Sequence, residues 1–268
     1  MRISTARIKI AKVKKLIVFD FDGTLVPTKS PVDRAMDKLL TELLARYKVA
    51  IIGGSSYEVL QDLLVSRLTA PKQLLGNLFL FPTTATAFYH YDKKWKKVYQ
   101  HNLSLQERKL IKSTFTKVFK EIGYKHPRKI YGPVIEDRGS QVTFSVFGQD
   151  IVKVLGKQGV KIKDAWKAKH SNVKMQIAEL MAKYLPNLEV RAAGHTSIDV
   201  TKKGIDKAYG LLEIVKRLKV GVADMLFVGD AIFPGGNDFA VVRTGVDYIP
   251  VKDPKETRRV INALLSRK

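Results

Sequence analysis

The chain of 268 residues has no cysteine. Disulfides, thiolate metal centres and cysteine nucleophiles are excluded by that absence alone. Its five histidines are scattered, and no two share the His-x-x-x-His spacing of a helical metal site. No apolar run is long enough to span a bilayer, and the mean hydropathy is -0.10. The first residues, Met-Arg-Ile-Ser-Thr-Ala-Arg, lack the apolar centre of a signal peptide. Residues 1–15 read as a basic, poorly ordered lead-in, and a soluble cytoplasmic protein is the expectation. Internal repeats and low-complexity stretches are also missing.

Acid is scarce. Lys and Arg number 48 against 25 Asp and Glu, a net charge of +23. Such a balance attracts phosphorylated small molecules and polyanions. The lysines are spread along the chain and do not alternate with aromatics, so they read as solvated helix faces, and nucleic acid is not the expected partner. Trp95 and Trp166 read as packing residues.

What remains is organised around Leu16–Leu25. Leu16 to Phe19 is a short branched apolar run, the pattern of a buried parallel strand. Asp20 and Asp22 follow it. Ligands bind at the carboxyl ends of such strands. Two aspartates one residue apart repel unless a cation or hydrogen bonds offset them, and an all-oxygen site suits Mg2+. Gly23 allows the turn that follows. A second apolar run, Val49 to Ile52, ends in Gly53-Gly54-Ser55-Ser56 before a helix. Free backbone N–H groups there make an anion seat. A third, Met225 to Val228, ends in Gly229-Asp230 and, after Pro234 and two glycines, Asn237-Asp238. Lys207 lies at the start of a helix that Asp206 can cap. A parallel sheet gathers its carboxyl ends on one edge, so these groups can converge for phosphoryl transfer through an aspartyl phosphate.

Between these runs the pattern changes. Hairpin signals lie at 88–99 and amphipathic helices at 104–122 and near 173–184. Strands are expected at 129–136, 141–147, 188–192 and 197–201. The helix after the first aspartates is expected over 31–47, with Ser30 as its cap. Strand-strand-helix order inside an alternating α/β chain predicts an inserted α+β domain. The expected division is a Rossmann-like core with a parallel sheet over 1–85 and 202–268, and an α+β cap over 86–201.

Asp20-x-Asp22-Gly-Thr, Ile51-Ile-Gly-Gly-Ser55, Lys207 and Gly229-Asp-x-x-x-Pro-Gly-Gly-Asn-Asp238 together resemble the haloacid dehalogenase-like phosphotransferases of subfamily IIB. The last motif and Pro254-x-x-Thr-Arg-Arg259 look like the eukaryotic-type phosphomannomutases. By that resemblance Asp20 is the nucleophile and Asp22 the general acid and base. Asp20, the backbone carbonyl of Asp22 and Asp230 bind Mg2+. Ser55, Gly54 and Lys207 hold the phosphoryl group, and Asn237 and Asp238 support the site. Lys29, Arg138, Ser197 and Asp199 contact the substrate, a sugar phosphate. The mutases grip a second phosphate with several arginines. Tyr131 and Gln149 stand here at two of those positions. Guanidinium forks hold phosphate by two bonds, at about 1.5–3 kcal/mol per charge-assisted contact, so their loss weakens a bisphosphate. Phosphatase activity therefore ranks above mutase activity, and a non-catalytic polyanion binder ranks last. A homodimer through the cap is a further expectation.

Overall fold

A computed structural model describes residues 14–266. The expected basic lead-in lies, except for its last residues, outside the described residues. The described chain forms two compact units. The core unit takes the chain up to Tyr99 and again from Asp206 onward, and the inserted unit is Gln100–Ile205.

The core unit is built on a seven-stranded sheet. Its strands are β1 (Leu16–Phe19), β2 (Lys48–Ile52), β3 (Leu78–Phe81), β4 (Ala87–Asp92), β5 (Lys94–Gln100), β10 (Met225–Gly229) and β11 (Asp247–Pro250). The order is β11-β10-β1-β2-β3-β4-β5. The first five are mutually parallel, and β4 joins β3 antiparallel with Phe79 opposite His90. Side chains alternate along each strand and feed two cores. Ile17, Phe19, Val49, Ile51 and Val228 pack with α1 (Arg34–Leu44), α2 (Tyr57–Leu63) and α9 (Pro254–Leu265). Leu16, Val18, Ala50, Ile52 and Phe227 face the other way and pack with α8 (Lys207–Leu218). Polar residues do not interrupt β1, because both of its faces are covered. A short helix, α3 (Lys72–Leu75), precedes β3.

The inserted unit carries a four-stranded antiparallel sheet in the order β6 (Ile135–Asp137), β7 (Val142–Ser145), β9 (Ser197–Lys202), β8 (Leu188–Ala193). Val142, Phe144, Ile198 and Val200 turn to one face and pack against α5 (Leu105–Glu121) and α7 (Lys157–Tyr184). The alternate residues, Thr143, Ser145, Ser197 and Asp199, lie across from one another on the opposite face. A short helix, α6 (Ile151–Leu155), precedes α7.

Several expectations change. The two units divide after Tyr99 and after Ile205, not after 85 and 201. The β4–β5 hairpin extends the core sheet, since β4 hydrogen-bonds to β3. At the other border, β9 runs to Lys202 and Ile205 N–H still bonds to Lys202 O, which keeps 202–205 with the inserted sheet. Helix α1 begins later than expected. Val32 N–H is committed to Leu63 O, and Asp33, not Ser30, accepts the N–H of Met36. Residues 129–134 do not form a strand: Gly132 is left-handed (φ 74°) and Pro133 has no N–H to pair. Leu110 and Leu212 lie on exposed helix faces. The long α7 begins well before 173. Lysines dilute its apolar stripe, so periodicity reveals only its second half.

Candidate active site

The carboxyl ends of β1, β2 and β10 bring the sequence-predicted residues of the core unit together. Asp20 N–H donates to Val228 O at 3.0 Å, which ties the end of β1 to β10 and carries Asp20 beside the Asp230 loop. Asp20, Asp230 and Asp238 each offer a carboxylate oxygen within 4.8 Å of the others. The Lys207 ammonium lies among them, 2.5 Å from Asp20 Oδ1 and in contact with Asp238 Oδ1. Lys207 is 2 % exposed, a burial that only paired charge sustains. It is there because Asp206 caps α8 through the N–H of Tyr209, so the first side chain of the helix starts at the sheet edge.

Burial pushes the Asp20 carboxyl well above the usual carboxylate range; Lys207 opposes that rise, and Asp238 and Asp230 add to it. Asp230 is raised by burial and then by Asp238. For Lys207, burial alone would lower the pKa, but Asp20 and Asp238 outweigh it and hold the ammonium charged. Three carboxylates thus share one monovalent cation. That imbalance, with an all-oxygen donor set, fits a hard divalent ion. Both oxygens of Asp238 are engaged, Oδ1 by Lys207 and Oδ2 by the N–H of Ala231 (3.0 Å), whereas Lys207 takes only Oδ1 of Asp20, so Asp20 and Asp230 are the carboxylates better placed to take a metal.

The Asp22 carboxylate is not part of that group. One oxygen accepts Lys29 N–H at 2.5 Å and the other accepts the Ser55 hydroxyl at 3.1 Å. It is half-buried and oriented separately from Asp20. Gly54 lies between buried Gly53 and buried Ser55 in the turn after β2, and Asn237 is exposed.

Two glycines are required by close approach. A Cβ on Gly23, which is left-handed (φ 89°), would lie 2.5 Å from Asp230 Oδ2. A Cβ on Gly229 would lie 2.5 Å from Asp238 Oδ2. Any side chain at either position displaces a carboxylate of the site.

Some supports were not legible in sequence. The fully buried Thr257 hydroxyl donates to Thr24 O at 2.7 Å and pins the loop after Asp22 from α9, while the Thr24 hydroxyl reaches Asp230 at 3.4 Å. A left-handed turn, α4 (Pro82–Ala85), braces the Gly53–Ser55 loop: Thr83 N–H donates to Ser55 O at 2.9 Å and Thr84 N–H to Gly53 O at 2.8 Å. Thr83, Thr84 and Ala85 have φ of 47°, 57° and 63°. Each such residue costs about 1–2 kcal/mol, which the surrounding bonds and packing must offset. The only local signal was Thr-Thr-Ala after a proline, which predicts nothing left-handed.

Of the residues expected to meet substrate, Lys29 belongs to the core unit and Arg138, Ser197 and Asp199 to the inserted unit. Asp199 accepts the Thr143 hydroxyl at 2.8 Å. Ser197 pairs with Ser145 on the same sheet face. Arg138 is held by Glu136 at 2.5 Å and reaches Gln149 at 3.4 Å.

A buried carboxylate beside a lysine, at the carboxyl ends of a parallel sheet, is an arrangement suited to phosphoryl transfer. The family model described as haloacid dehalogenase-like hydrolase matches residues 17–240, and the chain belongs to that family. Among curated proteins it is similar to a phosphomannomutase of Encephalitozoon cuniculi, 26% identical over 95% of this chain and 94% of the relative. A probable phosphomannomutase of Caenorhabditis elegans is 27% identical over 95% and 97%. Among solved structures, the IMP-bound IMP-nucleotidase of Plasmodium falciparum aligns with a TM-score of 0.70 at 18% identity, over 95% of this chain and 69% of that one. The fold and subfamily expected from the motifs are therefore those of this protein, and it is an enzyme. No helix among the described residues is long and apolar enough to cross a membrane.

Proposed function

We propose that the chain is a Mg2+-dependent phosphatase of sugar phosphates that works through an aspartyl phosphate on Asp20. One observation carries the reading: Asp20 and Asp22, with one residue between them, lie in separate environments. Asp20 is buried beside a fixed ammonium and the Asp230 carboxylate. Asp22 is held apart by Ser55 and the N–H of Lys29. Two carboxylates so separated can take the roles of nucleophile and proton carrier.

In the first half-reaction an Asp20 oxygen attacks phosphorus, the bond from phosphorus to the sugar oxygen breaks, and Asp22 gives that oxygen a proton. In the second, water attacks the phosphorus, Asp22 takes its proton, the bond to Asp20 breaks and inorganic phosphate leaves. Lys207 stays charged throughout and stabilises the negative oxygens. The Ser55 hydroxyl, on a rotatable bond, can turn from Asp22 to the phosphoryl group, joined by the Gly54 backbone. Asp20, Asp230 and the Asp22 carbonyl would hold Mg2+. When bound, the ion supplies charge neutralisation between the nucleophile and the phosphoryl group. Asn237 and Asp238 support this set, Asp238 by orienting Lys207. Ser197 and Asp199 would meet sugar hydroxyls, with Lys29 and Arg138 binding at the substrate's periphery.

A second reading, a phosphohexomutase, is favoured by the similarity to phosphomannomutases. Against it, Tyr131 and Gln149 replace two expected arginines, and Arg138 is already paired with Glu136. The test is a panel of hexose phosphates with and without a hexose 1,6-bisphosphate. The proposal expects phosphate release that needs Mg2+, ignores the bisphosphate and vanishes in Asp20→Asn. Isomerisation dependent on the bisphosphate favours the mutase. Full turnover by Asp20→Asn would defeat both.

A further inference from the structure

The inserted unit carries a second concave feature with its own chemistry. A groove of about 490 Å³ lies between α7 and the 122–127 loop that follows α5. Tyr124, Phe147, Trp166 and His170 line it, with Lys125 and Gln176 as polar members. Trp166 and His170 are one helical turn apart with ring centroids at 5.5 Å, and Phe147 meets Trp166 edge-on at 6.5 Å. At His170 the helix leaves helical geometry (φ -132°, ψ 21°), so the wall is notched there. A volume of this size is typical of small-molecule sites.

An aromatic lining alone is the ordinary edge of a core. Two further observations set this one apart. The Tyr124 hydroxyl is screened from solvent and has no hydrogen-bond partner among the described residues. Buried hydroxyls are normally paired, so this one is an unsatisfied group behind the groove wall, which a ligand meets when the Tyr124 side chain turns outward. Lys125 is in the lining, and the chain segments that flank the groove are strongly cationic. Residues 120–129 and 166–176 hold seven Lys and Arg against one acid, Glu121, which accepts the Tyr184 hydroxyl at 2.8 Å. Lys125, Arg128, Lys129, Lys167 and Lys169 are all exposed. Sugars alone do not call for that charge, and inorganic anions do not call for the aromatic walls.

We propose that this groove binds the base of a nucleoside phosphate, with the base against Trp166 and His170 and the phosphate on the Lys125–Lys129 rim. Aromatic rings bind bases through their π-faces without regard to sequence, and cations beside them hold the phosphate. Gln176 offers hydrogen bonds to the edge of the base, and Tyr124 Oη joins it when that side chain turns outward. The ligand is either a free mononucleotide or one unit of a single-stranded RNA, which share this chemistry. This inference does not depend on the reaction assigned to Asp20.

Trp166 is the reporter. The chain has two tryptophans, and Trp95→Phe leaves Trp166 alone. Titrating that full-length variant with AMP is expected to quench its fluorescence saturably. Adenosine should quench more weakly, and ribose 5-phosphate, which has no base, should not quench. Lys125→Ala with Arg128→Ala should weaken AMP by about tenfold or more, and leave adenosine unchanged, as expected for loss of charge-assisted phosphate contacts. His170→Ala and Tyr124→Phe should weaken both, with kcat and KM for hexose phosphates unchanged. An oligoadenylate binding more tightly than AMP identifies RNA as the source, and equal affinity identifies the mononucleotide. Equal quenching by ribose 5-phosphate, no quenching by AMP or adenosine, or unaltered affinity in both His170→Ala and Tyr124→Phe would overturn the proposal.

Discussion

Replacing Lys207 by methionine tests the electrostatic organisation of the site most directly. Methionine keeps much of the length and apolar stem of lysine and removes the charge. Lys207 and its partners Asp20 and Asp238 have side chains that are 2 %, 5 % and 0 % exposed. Removing one member of a buried ion pair costs about 3–5 kcal/mol, because the opposite charge stays buried without compensation. Here two carboxylates lose their partner, and Asp230 lies within the same 4.8 Å group. The expected loss for metal-free Lys207→Met is therefore at the upper end, about 4–5 kcal/mol. For a protein of this size each kcal/mol moves Tm by about 2–4 °C, so the variant should melt about 8–20 °C below wild type. Lowering the pH should narrow the gap as the carboxylates protonate. Mg2+ should narrow it too, by supplying positive charge to Asp20 and Asp230. Calorimetry at several pH values, with and without Mg2+, reads all three effects. Equal Tm values for wild type and variant in the metal-free state at neutral pH would refute the account of Lys207 as the cation that holds the carboxylates together.

Two other outcomes follow from the same geometry. Asp230→Asn should raise the Tm of the metal-free protein at neutral pH and abolish Mg2+-dependent turnover. Burial and Asp238 raise the Asp230 pKa, so its contribution to stability is present below about 3.8 and lost as pH rises through its folded value. The advantage of asparagine should therefore disappear towards pH 4, and a variant less stable than wild type at neutral pH without metal would contradict this. Thr84→Gly should stabilise the fold by about 1 kcal/mol, since glycine accepts φ 57° without the left-handed penalty. Chemical denaturation measures it, and a loss of stability would mean that Thr84 packing outweighs its strain.

The apolar runs Leu16–Phe19, Val49–Ile52 and Met225–Val228 were legible because strands covered on both faces need unbroken apolar residues. The cluster of acidic residues with its lysine was legible as well. Asp20, Asp230, Asp238 and Lys207 follow strand ends or a helix cap, and a parallel sheet gathers those ends on one edge. Backbone chemistry of that kind is local, so sequence determined it. What sequence left open depends on partners distant along the chain. That Asp238 binds Lys207 while Asp22 turns to Ser55 is set by which loops touch. The β4–β5 hairpin reads as a hairpin anywhere, but only pairing with β3 assigns it to the core sheet. The left-handed Thr83–Ala85 turn opposes local preference outright, and it persists because Ser55, Gly53 and the buried packing around it bind it in place. Periodicity and spacing carry one-dimensional information; charge pairing and strain depend on through-space contacts, and only the tertiary structure decides those.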